Sequence, residues 1–213
     1  MRVPACYPVL FTRRAIEGVQ AKPLPHYPPL ADDVLLAPYV ATPGISLLEV
    51  GVKKGGSLKM WRELLHAESR VFGADIDPGI PAFPLDASIK TIPADSTVLG
   101  GDIVRALRGV QLDVIIDDGH HEELHQLRTL RNLLPFLTPT GVYVIEDLLS
   151  FWGLQDALAR DFPRLRWVRL ADTEESLLVI YPEQSLAPVA LGVGHVISQC
   201  LAGPCFHKGS SNK

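Results

Sequence analysis

At 213 residues the chain is long enough to bury one α/β core and short for two. Hydrophobic residues make up 47% and charged residues 21%, ordinary values for a globular protein. Twenty Lys and Arg against 24 Asp and Glu leave a net charge of −4. That balance lacks the electrostatic attraction that drives general binding to nucleic acid or anionic membrane. Cys6, Cys200 and Cys205 make neither a disulfide framework nor a C-x-x-C metal pair, and free thiols are expected. No run of about 18 apolar residues predicts a membrane span. The start, MRVPACYPVLFTRR, places its apolar stretch before the arginines and breaks it with proline, unlike a signal peptide. A cytoplasmic protein is the default expectation.

Residues 1–44 are proline-rich around PLPHYPP and read as a leader, either a strap along a sheet edge or a lid. One short helix, ADDVLLAPYV, is expected to end near Pro38. From residue 45 to 182 the pattern is regular. ISLLEV predicts a strand, GVKKGGS a glycine-rich turn and LKMWRELLHA a helix. RVFGAD is a second strand, SIKTIPAD holds a third, and a helix is predicted over residues 97–107. LDVIID is the fourth strand, residues 121–134 a leucine-spaced helix, and GVYVIE the fifth strand. FWGLQDALARDF is a helix, followed by RLRWVRL and SLLVIY joined by a short polar turn. Alternating strands and helices imply a doubly wound, mostly parallel sheet. The final two strands form an antiparallel hairpin, giving seven strands in all. Residues 183–213 form a tail without a clear period, in which HVISQCLA is a candidate short helix.

The fourth strand ends in Asp117, Asp118, Gly119, His120 and His121, and the fifth in Glu146 and Asp147. Carboxylates at strand ends often cap a following helix, but capping explains one acid and not three. Neighbouring strand ends would bring these groups together as a divalent-metal site. Open α/β sheets bind ligands beyond the carboxyl ends of their strands, so the turn of residues 51–57 is the first place for a cofactor. Gly51 lets the backbone approach a ligand, and Ser57 lies where the next helix presents free N–H groups to an anion. Glu49 is placed to receive an ammonium group. Asp75 or Asp77 is placed for ribose hydroxyls, with Asp75 the better choice because it ends the apolar run. Asp95 is placed for an adenine amino group. G-x-G-x-x-G and the G-x-x-x-x-G-K-[ST] phosphate loop are both absent.

LEVGVKKGGSLKMW with VFGADIDP, then D-D-G-x-H and E-D, resembles the S-adenosylmethionine (SAM)-dependent O-methyltransferases of the macrocin and mycinamicin group over residues 47–148. The resemblance implies a Rossmann-like methyltransferase fold, SAM as cofactor, and Mg2+ or another divalent cation held by Asp118, Glu146 and Asp147. It makes His121 the general base and sets Asp117 beside the methionine end of SAM. Mg2+ prefers such hard oxygen donors, and an imidazole with an ordinary pKa near 6.5 can take a proton at neutral pH. His120 stands where the group often has a small polar residue, and its nitrogen would suit Mn2+, Fe2+ or Zn2+. His125 is expected to be a surface or substrate-lining residue. The tryptophans Trp61, Trp152 and Trp167 are expected in the core or a pocket wall.

The implied substrate is a small molecule bearing a hydroxyl, foremost a natural-product sugar; a catechol-type phenol is the nearest alternative. A SAM-fold protein that uses the cofactor for a rearrangement or cyclisation is a rival reading, and a non-catalytic binding protein another. No nucleic-acid or membrane partner is expected. A homo-oligomer remains open.

Overall fold

The computed structural model describes residues 31–84, 86–171 and 176–185. The leader up to residue 30, the three cysteines, the tail from residue 186 and most of the polar hairpin turn lie outside the described residues. Strands β1 (Ser46–Val50), β2 (Arg70–Asp75), β3 (Ile89–Pro93), β4 (Leu112–Asp117), β5 (Leu137–Ile145), β6 (Leu165–Ala171) and β7 (Ser176–Pro182) form one sheet in the order β3-β2-β1-β4-β5-β7-β6. Every pair from β3 across to β5 is parallel, while β7 runs antiparallel to both β5 and β6. The doubly wound sheet with its antiparallel hairpin is as the sequence predicts.

Alternation along the strands builds a core on each face of the sheet. Leu48, Phe72, Ile115 and Tyr143 pack on one side, covered by α3 (Asp102–Ala106), α4 (Glu123–Leu133) and α5 (Trp152–Asp161) through Ile103, Leu130 and Leu154. Leu47, Val71, Val114 and Val144 pack on the other, covered by α1 (Ala31–Val40) and α2 (Gly56–Leu64) through Leu35, Leu36 and Leu58. Tyr39 of α1 is buried and donates its hydroxyl to the Thr140 carbonyl at 2.8 Å, which ties this helix to β5.

Several boundaries differ from expectation. Helix α1 spans the predicted ADDVLLAPYV and runs two residues past Pro38 to Val40. Thr42 Oγ1 then satisfies the Pro38 carbonyl. The helix predicted over residues 97–107 shrinks to Asp102–Ala106. Asp95 Oδ1 accepts from both the backbone N–H and the hydroxyl of Thr97, folding the chain into a turn, and Gly100 sits at φ 64°. Helix α4 begins at Glu123, so His120 and His121 precede it. Strand β5 starts earlier than predicted, pairing Leu137 with Leu112 before a register shift, and that irregularity accommodates Pro139.

The inward face of α4 is more polar than its leucine spacing suggests. Gln126, Thr129 and Asn132 are buried, whereas Leu124 is 54% exposed. Each buried polar group has a reason to be there. Gln126 Nε2 donates to the Glu146 carbonyl, Thr129 pairs with the Ser96 hydroxyl, and Asn132 Nδ2 donates to the Ser96 carbonyl. The helix therefore grips the loops after β3 and β5, not the sheet alone.

Candidate active site

The strand ends are stitched together by backbone bonds one residue beyond each strand. Ala94 N donates to the Asp75 carbonyl, Gly51 N to Ala74, Asp118 N to Val50 and Glu146 N to Asp117, at 2.8–3.0 Å. The carboxyl edge of β3, β2, β1, β4 and β5 is thus one continuous ledge, and it carries nearly every candidate residue. Only Ser57 lies off it, half-buried in the first turn of α2.

At the β1 end, Gly51 adopts φ 92°. A Cβ there would lie 2.0 Å from the Asp118 carbonyl oxygen, so the glycine turn and the acidic end of β4 touch backbone to backbone. Gly55 is also left-handed, at φ 72°, and a Cβ on it would meet the Pro81 and Phe83 side chains. Asp75 bridges the turn and its own loop, accepting from Lys53 N at 2.8 Å and Asp77 N at 3.0 Å. Asp77 instead closes a local turn onto Gly79 N. Glu49 is 1% exposed, in register between Gly73 and Ile116. Asp95 is held below the usual carboxylate range by its two bonds from Thr97.

Asp117 and Asp118 are both buried. Burial pushes the Asp117 carboxyl up to about 7, opposed by hydrogen bonds from Gly119 N and the Tyr143 hydroxyl and assisted by neighbouring Asp118. Burial also holds the Tyr143 hydroxyl well above its ordinary range. Asp117 is therefore a carboxyl group poised to change charge near neutrality.

Donor atoms of Asp118, His121 and Asp147 lie within 4.8 Å of one another. His121 Nε2 is 3.8 Å from Asp147 Oδ2, and its buried Nδ1 has no hydrogen-bond partner. Asp147 takes a left-handed φ of 51° as the chain leaves β5, a conformation aspartate tolerates better than most residues. Glu146 is half-buried and stands outside that three-residue group. A second group, His120, Glu122 and His125, lies beside it. The His120 and His125 rings stack at 4.2 Å and 20°, which holds His120 against α4.

Of the tryptophans, Trp167 is buried and Trp61 packs against the α1/α2 core. Trp152 departs from the expectation of packing: it is 76% exposed, next to Leu149 at 78%. Buried Phe151 makes the packing contact in its place. Sequence reading missed Tyr143, Glu123 and Gln126. A buried tyrosine needs a partner for its hydroxyl, so Tyr143 in an otherwise aliphatic strand was a signal. Nothing local marks Glu123 or Gln126, since acids and amides are ordinary on a helix.

Residues 48–148 match the family model described as a methyltransferase domain. Demethylmacrocin O-methyltransferase of Streptomyces fradiae is 33% identical over 116 residues, 51% of this chain and 29% of that protein. Mycinamicin VI 2''-O-methyltransferase of Micromonospora griseorubida is 32% identical over 116 residues, 51% of this chain and 28% of that protein. The chain thus matches under a third of the length of these relatives. Among solved structures, the mycinamycin-pathway methyltransferase MycE in complex with Mg, SAH and mycinamycin VI aligns with a TM-score of 0.58 and 23% identity, over 74% of this chain and 50% of that one. Human methyltransferase-like protein 13 in complex with SAH aligns at 0.53 and 25% identity, over 76% and 84%. No helix among the described residues is long and apolar enough to cross a membrane. Over residues 48–148 the chain is thus similar to a methyltransferase domain and to the macrocin- and mycinamicin-type sugar O-methyltransferases.

Proposed function

We propose that the chain is a SAM-dependent O-methyltransferase that acts on a hydroxyl of a small molecule, foremost a natural-product sugar, with a divalent cation. The observation that carries this reading is the approach of Asp118, His121 and Asp147 within 4.8 Å, on the ledge that also holds the left-handed Gly51 turn. The residues suit the two groups. Gly51 and Gly55 give the turn its left-handed backbone, and the first turn of α2 beyond it presents N–H groups suited to an anionic group. The acids offer the hard oxygen donors that Mg2+ prefers.

When bound, SAM supplies an electrophilic sulfonium methyl, and the cation supplies positive charge that acidifies a nearby hydroxyl. Asp118, Glu146 and Asp147 hold the cation in this reading. His121 Nε2 takes the proton from the acceptor hydroxyl, and Asp147 offsets the imidazolium charge that forms. Asp75 accepts from ribose hydroxyls through lone pairs left free by Lys53 and Asp77. Glu49 takes the ammonium group, Asp95 the adenine amino group, and Ser57 with the first turn of α2 the carboxylate. Asp117 flanks the methionine end. Alignment of the acceptor oxygen with the methyl contributes much of the rate.

A second reading follows from Glu146 lying outside the compact group. Asp118, His121 and Asp147 would then be the ligands, an N,O,O set that suits Mn2+, Fe2+ or Zn2+ better than Mg2+, and His121 would not be the base. Both readings are tested with purified protein, SAM and a panel of glycosylated natural products, following S-adenosylhomocysteine release with and without EDTA. Cation-dependent product is expected. Calorimetry showing no binding of SAM or S-adenosylhomocysteine would overturn the reading at its root. Cofactor binding with a rearranged, unmethylated product would replace it by the non-methylating alternative.

A further inference from the structure

We propose that Glu123 is a positioning residue that locks the two acid-bearing loops into one rigid site, so that its loss weakens divalent-cation binding while leaving cofactor binding intact. This inference rests on the metal reading above. Glu123 lies in the first turn of α4, two residues beyond His121. Its carboxylate crosses to the segment after β5, where Oε2 accepts from the Ser150 hydroxyl at 3.0 Å and Oε1 from Leu154 N at 2.9 Å.

Leu154 N is in the first turn of α5, where N–H groups lack intrahelical partners. No side chain at the α5 N-cap position supplies one. Glu123 therefore caps α5 from another helix and places negative charge at its positive end. The fit depends on Gly153, since a Cβ there would lie 3.0–3.1 Å from the Glu123 carboxylate atoms.

One turn along α4, buried Gln126 holds the other end of the same segment by donating to the Glu146 carbonyl at 3.1 Å. A single face of α4 thus grips the chain at 146, 150 and 154. Between those points stands Asp147, whose left-handed backbone persists only where its surroundings hold it. The same helix begins just after His121, so the clamp fixes Asp147 relative to the Asp118–His121 loop. The candidate cofactor residues at the ends of β1 to β3 are held by separate bonds, among them Lys53 N to Asp75.

The test compares Mn2+ affinity, from water-proton relaxation, with S-adenosylhomocysteine affinity, from calorimetry, on the full chain. Glu123→Ala is expected to weaken Mn2+ binding about tenfold or more, the range for residues that support metal ligands, with cofactor affinity unchanged. Glu123→Gln keeps an acceptor oxygen for Leu154 N and should recover most of the loss. Should Glu123→Ala fail to fold, Gly153→Ala, which crowds the same carboxylate, should produce a smaller loss in the same direction. Parental Mn2+ affinity in Glu123→Ala, beside a parent that binds Mn2+, overturns the clamp alone. So does a matched fall in Mn2+ and cofactor affinity with a lower melting temperature, which marks a general folding defect. A parent protein that binds no Mn2+ overturns the metal reading, and the clamp with it.

Discussion

A Cβ on Gly51 would stand 2.0 Å from the carbonyl oxygen of Asp118. The residue that shapes the candidate cofactor turn is therefore packed backbone to backbone against Asp118, a candidate metal ligand. Gly51→Ala incurs a left-handed strain of about 1–2 kcal/mol and a steric overlap in addition. We expect at least about 3 kcal/mol of destabilisation, or a fall of about 6–12 °C in melting temperature for a chain of this size. Gly44→Ala is the control: it is also left-handed, but open space surrounds it. Its effect should be confined to the strain, and equal losses in the two variants would refute the contact.

The buried carboxyl of Asp117 predicts an unusual pH dependence. Its folded value, about 7, lies above that of an unfolded aspartate, so the folded state holds a proton that the unfolded state releases. Between pH 4 and 7 this group makes stability fall as pH rises, because the unfolded state binds fewer protons. Asp117→Asn should flatten denaturation midpoints across that window. Tyr143→Phe removes a bond that favours the ionised form and should move the falling limb to higher pH. A parent curve that is flat or rising from this site would count against the burial argument.

The ligand set is separable from the base by a pair of measurements. Asp118→Asn and Asp147→Asn should each reduce divalent-cation affinity and turnover together. His121→Ala should lower kcat by about 10²–10⁴-fold with cation and cofactor affinities near parental. Loss of cation affinity in His121→Ala, with Glu146→Gln unaffected, would move His121 into the ligand set and Glu146 out of it.

Asn132 offers a test of the polar face of α4. It is 5% exposed and donates to the Ser96 carbonyl at 2.8 Å. Asn132→Leu leaves that carbonyl short of a donor, costing about 1–3 kcal/mol, measured by urea denaturation. A neutral result would show that the bond to the loop after β3 adds nothing to stability.

The strands and the two acidic strand ends were legible in the sequence because burial imposes apolar runs that stop where acidic residues begin. LDVIID and RVFGAD became β4 and β2 with the expected ends, and β6 and β7 pair antiparallel as the predicted hairpin. Other features were not legible, since they depend on partners distant in the chain. Asp118 and His121 meet Asp147 only because β4 and β5 are neighbours in register. Glu123 finds Ser150 and Leu154 only because α4 and α5 pack on one face of the sheet. Local sequence determined which residues lie at the ledge, through periodicity and burial. Tertiary structure alone decided which of them touch, because a contact across 27 or 31 residues is fixed by packing and leaves no local pattern.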